Sequence, residues 1–177
     1  ALLLSNLDAN KSMLAAGKLS VENGAHIVTQ QFLDSFLILS GSGITFGLVI
    51  AMLFAAKSKQ YKALGKVAAF PAIFNVNEPV VFGFPIVMNP VMFLPFIIVP
   101  ILAAIIVYTS IAIGFMHPFS GVTLPWSTPA IISGFMVGGW QGAFVQVLVL
   151  ATSTVVYFPF FKFQDNLAYN NELQAEK

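Results

Sequence analysis

Apolar positions dominate this chain, and polar breaks divide them into segments. Residues 1–24 are mixed and moderately polar, with a short apolar stretch at Met13–Ala16. They read as an interhelical loop carrying at most one short surface helix. From His26 the chain turns apolar, interrupted by Gln30, Gln31 and Asp34, and residues 36–56 carry no charge. About 20 such residues suffice for a helix to span the roughly 30 Å hydrocarbon layer. Ser40-Gly41-Ser42-Gly43 lies inside this stretch and serves either close helix contact or a break in the helix. Lys57, Lys59, Lys62 and Lys66 follow. Lysines crowded beside a span mark a cytoplasmic loop, so the first span is expected to run from outside to inside.

In residues 67–161 the only formal charge is Glu78. Prolines at 71, 79, 85, 90, 95 and 100 divide the first part. Each removes a backbone donor and disfavours helix in the residue before it. Irregular backbone at membrane depth is tolerated only where protein or a water-filled cavity surrounds it. Residues 67–88 are therefore expected to form a re-entrant hairpin, and residues 89–115 a true span. A second break, His117-Pro118 to Pro129, is expected to form a re-entrant hairpin over 117–139. A last span is expected over 142–161, with a polar cytoplasmic tail at 162–177. The fold class is thus all-α integral membrane, with about three spans and two re-entrant hairpins around a substrate site.

Composition agrees with the pattern. Hydrophobic residues make up 58% and charged residues 8%, against about 45–50% and about 25% in soluble domains. Too little charge remains to cover a water-facing surface, so the partner is lipid. A net charge of +1, with every basic residue a lysine, argues against nucleic acid. There is no cysteine, and the two histidines lie far apart, so no metal site and no cofactor are expected. No phosphate-binding loop or dinucleotide fingerprint is present. The chain begins at Ala1 in Ala-Leu-Leu-Leu-Ser and reads as a piece of something longer.

Five places are candidates for chemistry. Glu78 sits in Asn75-Val76-Asn77-Glu78-Pro79. An intramembrane carboxylate usually faces a cavity or pathway, and two amides beside it offer the mixed donors and acceptors that sugar hydroxyls need. Its other reading is a cap on backbone amides. Trp126, in Pro125-Trp126-Ser127-Thr128-Pro129, offers an indole face to a pyranose or an anchor at the membrane interface. Asp34, one turn from Gln30, lines a polar cavity or marks the start of the helix. His26 and His117 read as interfacial or loop residues.

The run from Phe70 to Pro90, with its Asn75-Val76-Asn77-Glu78-Pro79 core, Phe82-Gly83-Phe84-Pro85-Ile86 and Asn89-Pro90, resembles a specific signature. It is that of the membrane component (IIC) of phosphotransferase-system sugar transporters of the lactose/cellobiose/diacetylchitobiose type. Leu33-Asp34-Ser35-Phe36, Gly41-Ser42-Gly43 and Pro125-Trp126-Ser127-Thr128-Pro129 extend the resemblance over nearly the whole chain, as the C-terminal half of a family member.

The resemblance implies a multi-pass protein of the bacterial cell membrane, dimeric through N-terminal helices outside this chain. It implies a disaccharide held between two hairpins and phosphorylated at C6 by the phosphocysteine of a IIB partner, itself supplied by IIA. The chain then serves as the membrane part of a multi-protein phosphotransferase, with no phosphorylated residue of its own. Glu78 is implied to contact the hydroxyl to be phosphorylated, orienting it or taking its proton. Asn75, Asn77, Trp126, Thr128 and Asp34 complete the expected substrate site. The family's Gly-Ile-His-Gly motif is absent here. An ion-coupled secondary transporter with Glu78 as proton carrier is the alternative, and a non-transporting membrane subunit the third.

Overall fold

The computed structural model describes every residue except Ala1, Pro85, Val122, Thr123, Glu176 and Lys177. The described residues are helical or irregular, with no strand among them. Seven α-helices run in chain order: α1 (Leu2–Ala15), α2 (Gln30–Phe32), α3 (Phe46–Ala55), α4 (Lys59–Ile73), α5 (Glu78–Gly83), α6 (Pro90–Ala112) and α7 (Ile132–Ala175). A π-helical turn, Leu33–Leu37, continues α2.

α6 and α7 are each long and apolar enough to cross a membrane, by length and composition. Unlike an amphipathic helix of a water-soluble protein, they are apolar on the outer face as well as the inner one. α6 turns Met92, Val99, Ala103, Val107 and Ile111 inward and leaves Leu94, Ile97, Ile101 and Ile105 exposed. α7 likewise exposes Phe144, Leu148, Val155 and Phe158. An apolar outer face of this extent needs lipid or another protein surface against it. Pro95 and Pro100 lie inside α6 without ending it. Asn89 starts that helix: its Oδ1 accepts from the Val91 and Met92 amides at 3.0 and 3.4 Å, and Pro90 occupies the first turn, where no donor is required.

The apolar stretch 36–56 is not one helix. After the π-helical turn the chain passes through Ser40, Gly41, Gly43 and Ile44, all at positive φ, before α3 begins. Of the two readings of its small-residue patch, the break is the one found. The freed backbone groups find partners on α7. Gln146 Nε2 donates to the Ser35 carbonyl at 2.7 Å, Ser153 Oγ to the Ile44 carbonyl at 2.5 Å and the Tyr157 hydroxyl to the Gly43 carbonyl at 2.8 Å. All three side chains are buried. Their spacing of seven and then four residues keeps them on one face of α7. Gly47 lets α3 touch that face, since a Cβ there would lie 2.3 Å from the Thr154 amide nitrogen.

Two helix pairs fold back on themselves. α4 and α5 are joined by the turn 74–77, and Gly83 lies so close to Leu64 that a Cβ would meet its Cδ1 at 2.5 Å. The helix entering this turn begins at Lys59, well before residue 67. Lys59, Lys62 and Lys66 thus lie on α4 and not in a loop. In α7, Gly139 (φ 64°, ψ −157°) breaks the helix. A Cβ on Gly142 would sit 2.3 Å from the Gly134 carbonyl oxygen. In a straight helix residues eight apart stand about 12 Å away from each other, so the chain reverses at Gly139. Beyond it α7 runs on to Ala175, so the polar segment described after 161 is helical and no loose tail.

This C-terminal stretch holds the joint between α3 and α4. Lys162 Nζ donates to the Ala55 carbonyl at 2.6 Å, at the C-terminal end of α3. The buried Asp165 carboxylate accepts from the Lys57 amide (3.0 and 2.8 Å) and the Ser58 amide (3.0 Å). Glu172 accepts from Ser58 Oγ and the Lys59 and Gln60 amides at 2.7, 3.0 and 3.1 Å. Cations belong at helix C-termini and anions at N-termini, and one helix supplies both here.

Candidate functional site

The Asn-Val-Asn-Glu-Pro segment forms the turn between α4 and α5. Asn75 adopts φ 63°, a left-handed conformation that asparagine accepts better than other residues with a side chain. It is buried, and its amide reaches two other segments. Oδ1 accepts from the Ser40 amide at 2.6 Å. Nδ2 donates to the Trp126 carbonyl at 2.7 Å and to the Thr128 carbonyl at 2.9 Å. Asn77 is buried too, and its Nδ2 donates to the Ser42 carbonyl at 2.7 Å. Gly41 is required beside it, because a Cβ there would fall 2.4 Å from Asn77 Cγ. The two asparagines thus tie the turn to both irregular segments, residues 38–45 and 124–131.

A small pocket, of about 10 Å³, forms where these segments meet. Asp34, Ser35, Asn75, Trp126, Thr128 and Ser133 are among its lining residues. Asp34 is exposed and belongs to the π-helical turn, a feature frequent at functional sites. Gln30 Nε2 donates to both its carboxylate oxygens, at 2.9 and 3.0 Å, and so fixes its plane. Trp126 is 68% exposed. Thr128 Oγ1 donates to the Pro125 carbonyl at 2.7 Å, closing the turn that carries Trp126 and keeping lone pairs for a hydroxyl donor. The pocket therefore combines a carboxylate, a hydroxyl and an aromatic ring.

Glu78 opens α5 on an exposed position. It stands three residues from Asn75 but is not among the residues lining this pocket. Of the six candidates, Asp34, Asn75, Trp126 and Thr128 are brought together. Asn77 supports the turn from within, and Glu78 lies outside the pocket lining. His26 and His117 are exposed. Among the described residues no three His, Asp or Glu side chains cluster as a metal site would need.

Gln146 and Asn10 were not singled out by the sequence. Gln146 Oε1 accepts from the Ile131 and Gly134 amides (2.5 and 3.0 Å), and its Nε2 also donates to Ser133 Oγ at 2.8 Å, supporting the pocket wall. Asn10 Nδ2 donates to the His26 and Phe119 carbonyls, both at 2.8 Å, pinning α1 to the stretches around those two residues. For Gln146 the available signal was a lone amide in the uncharged run 142–161, which in lipid needs a partner; Asn10, in a polar stretch, gave none.

A polar pocket walled by broken helices, beside helices able to cross a membrane, defines a membrane-transporter type of architecture. The particular family follows from the comparisons. Residues 1–100 match the family "Phosphotransferase system, EIIC", and the chain belongs to it. The lichenan permease IIC component of Bacillus subtilis (strain 168) is 43% identical over 172 residues, covering 96% of this chain and 37% of that protein. The cellobiose-specific EIIC component of Geobacillus stearothermophilus is 42% identical over 142 residues, covering 79% of this chain and 32% of the relative. The lactose-specific EIICB component of Lacticaseibacillus casei is 34% identical over 178 residues, covering 99% and 30%.

The crystal structure of the IIC component of an N,N'-diacetylchitobiose-specific phosphotransferase system superposes with a TM-score of 0.88 at 38% identity. The match covers 96% of this chain and 39% of that one. The chain thus spans less than two fifths of the length of these relatives.

Proposed function

We propose that this chain forms the sugar-holding part of a phosphotransferase permease. In this reading the intact protein moves a disaccharide of the cellobiose, lactose or diacetylchitobiose type across the bacterial cell membrane. The sugar is phosphorylated at C6 on the cytoplasmic side by the phosphocysteine of IIB, which IIA recharges. The carrying observation is the convergence of Asp34, Asn75, Trp126 and Thr128 on one pocket at the tip of the α4–α5 turn.

The two folded-back helix pairs, α4–α5 and the two limbs of α7, act as re-entrant hairpins, and α6 and the long limb of α7 as spans. Membrane-depth breaks are stable only where protein covers them, and the α7 side chains and the two asparagines supply that cover. The pocket is too small for a sugar as it stands, so the exposed Trp126 side chain moves outward to admit a pyranose. The sugar then lies against the Trp126 ring with hydroxyls on Asp34 and Thr128, while Asn77 stiffens the turn. Glu78, three residues on from Asn75, meets the C6 hydroxyl and orients it or accepts its proton as the phosphoryl group arrives. The dimer forms through the part of the protein outside this chain.

The test uses the intact permease in inside-out vesicles with radiolabelled disaccharides. Sugar phosphate that forms only with phosphoenolpyruvate and the soluble components supports the reading. Unmodified sugar moving with a proton gradient, and no phosphate, would replace it with the ion-coupled alternative.

A further inference from the structure

The three hydrogen bonds of Asn75 commit both its donors and one acceptor site to the backbone of two other segments. Both N–H bonds of its amide are used on the Trp126 and Thr128 carbonyls, and its oxygen takes the Ser40 amide. A neutral amide has two donors, so none is left for a hydroxyl oxygen. The partners lie 35, 51 and 53 positions away in the chain. Otherwise the second irregular segment is tied at its Ile131 end by Gln146, while the Thr128–Pro125 contacts are internal to it. The exposed Trp126 side chain gains little from packing.

Resting on the reading above, we propose that Asn75 is a positioning residue. It latches the Trp126–Thr128 segment to the α4–α5 turn and to the break at Ser40, so that the backbone carrying the indole and the threonine hydroxyl stands at a fixed separation from Asp34. Sugar affinity then depends on Asn75 through the place of Trp126, not through contact.

Asn75→Asp separates the two halves of the amide. A carboxylate still accepts from the Ser40 amide but repels the two carbonyls that Nδ2 serves. Asn75→Gly, measured beside it, keeps the left-handed backbone and removes all three bonds, so a folding defect in one variant leaves the other to decide. The intact permease is labelled with 5-fluorotryptophan, and the Trp126 fluorine resonance is assigned by its loss in Trp126→Phe. The latch predicts that this resonance shifts or broadens in the sugar-free variant, with disaccharide affinity falling at least about tenfold.

An unmoved resonance with lost affinity would make Asn75 a direct ligand and overturn the proposal. An unmoved resonance with unchanged affinity would also overturn it. If the native permease binds neither cellobiose, lactose nor diacetylchitobiose while the resonance still moves, the latch stands and the sugar reading fails.

Discussion

The hydroxyl of Tyr157, buried on α7, donates to the carbonyl oxygen of Gly43 at 2.8 Å. Gly43 lies in a stretch whose backbone has left helical pairing, and no water reaches a carbonyl buried in this way. Tyr157→Phe deletes the donor and leaves the ring. An orphaned buried acceptor costs about 1–3 kcal/mol. The unfolding temperature of the intact permease in detergent should fall accordingly, and an unchanged value would remove the bond from the account.

Gly47 tests the contact between α3 and α7. A methyl there meets backbone, at 2.3 Å from the Thr154 nitrogen and 2.5 Å from the Ser153 carbonyl carbon, and backbone cannot swing aside. Overpacking costs about 1–3 kcal/mol. Gly47→Ala should therefore lower the unfolding temperature by an amount comparable to that of Tyr157→Phe. Wild-type stability would mean the helices do not pack this closely.

Asp165 should govern the α3–α4 joint. Replacing it by asparagine puts an NH₂ group where a carboxylate now takes the Lys57 and Ser58 amides. Hydrogen–deuterium exchange in a peptide covering residues 57–61 should speed up in Asp165→Asn. The change should exceed that in Glu172→Gln, because Asp165 is fully buried and Glu172 is partly exposed. Equal exchange in Asp165→Asn and wild type would contradict the capping role.

Much of this was legible in the sequence because lipid permits few solutions. Long uncharged runs give helices, and α6 lies within the stretch expected from 89 to 115. Asn75, Asp34 and Trp126 stood out by residue type and Thr128 through the resemblance, and the fold places the four around one pocket. The break at 40–44 was readable only as one of two alternatives. Ser-Gly-Ser-Gly is compatible with a tightly packed helix, and the deciding residues, Gln146, Ser153 and Tyr157, lie over a hundred positions away. The helical end of α7 was missed for a like reason. Its polar side chains look solvated until their partners at Ala55, Lys57 and Ser58 are placed beside them.

Glu78 can be separated from the pocket by the step it affects. Glu78→Gln keeps the shape and hydrogen-bonding capacity of the side chain but not its charge or basicity. If it serves the C6 hydroxyl during transfer, sugar phosphate formation should fall by about 100-fold or more, within the range of a lost general base. Disaccharide binding should change much less. Loss of binding in parallel would move Glu78 into the binding site proper.

The most direct test of the sugar pocket is equilibrium binding of radiolabelled disaccharide to the intact permease, with native Trp126 and with Trp126→Ala. Cellobiose, lactose and diacetylchitobiose are the ligands to try. An aromatic face contributes about 0.5–1.5 kcal/mol beyond its buried area, so affinity for whichever sugar binds should drop about tenfold or more. Undiminished binding to Trp126→Ala would contradict the account, and the sugar would have to lie elsewhere than between Asp34, Asn75 and Thr128.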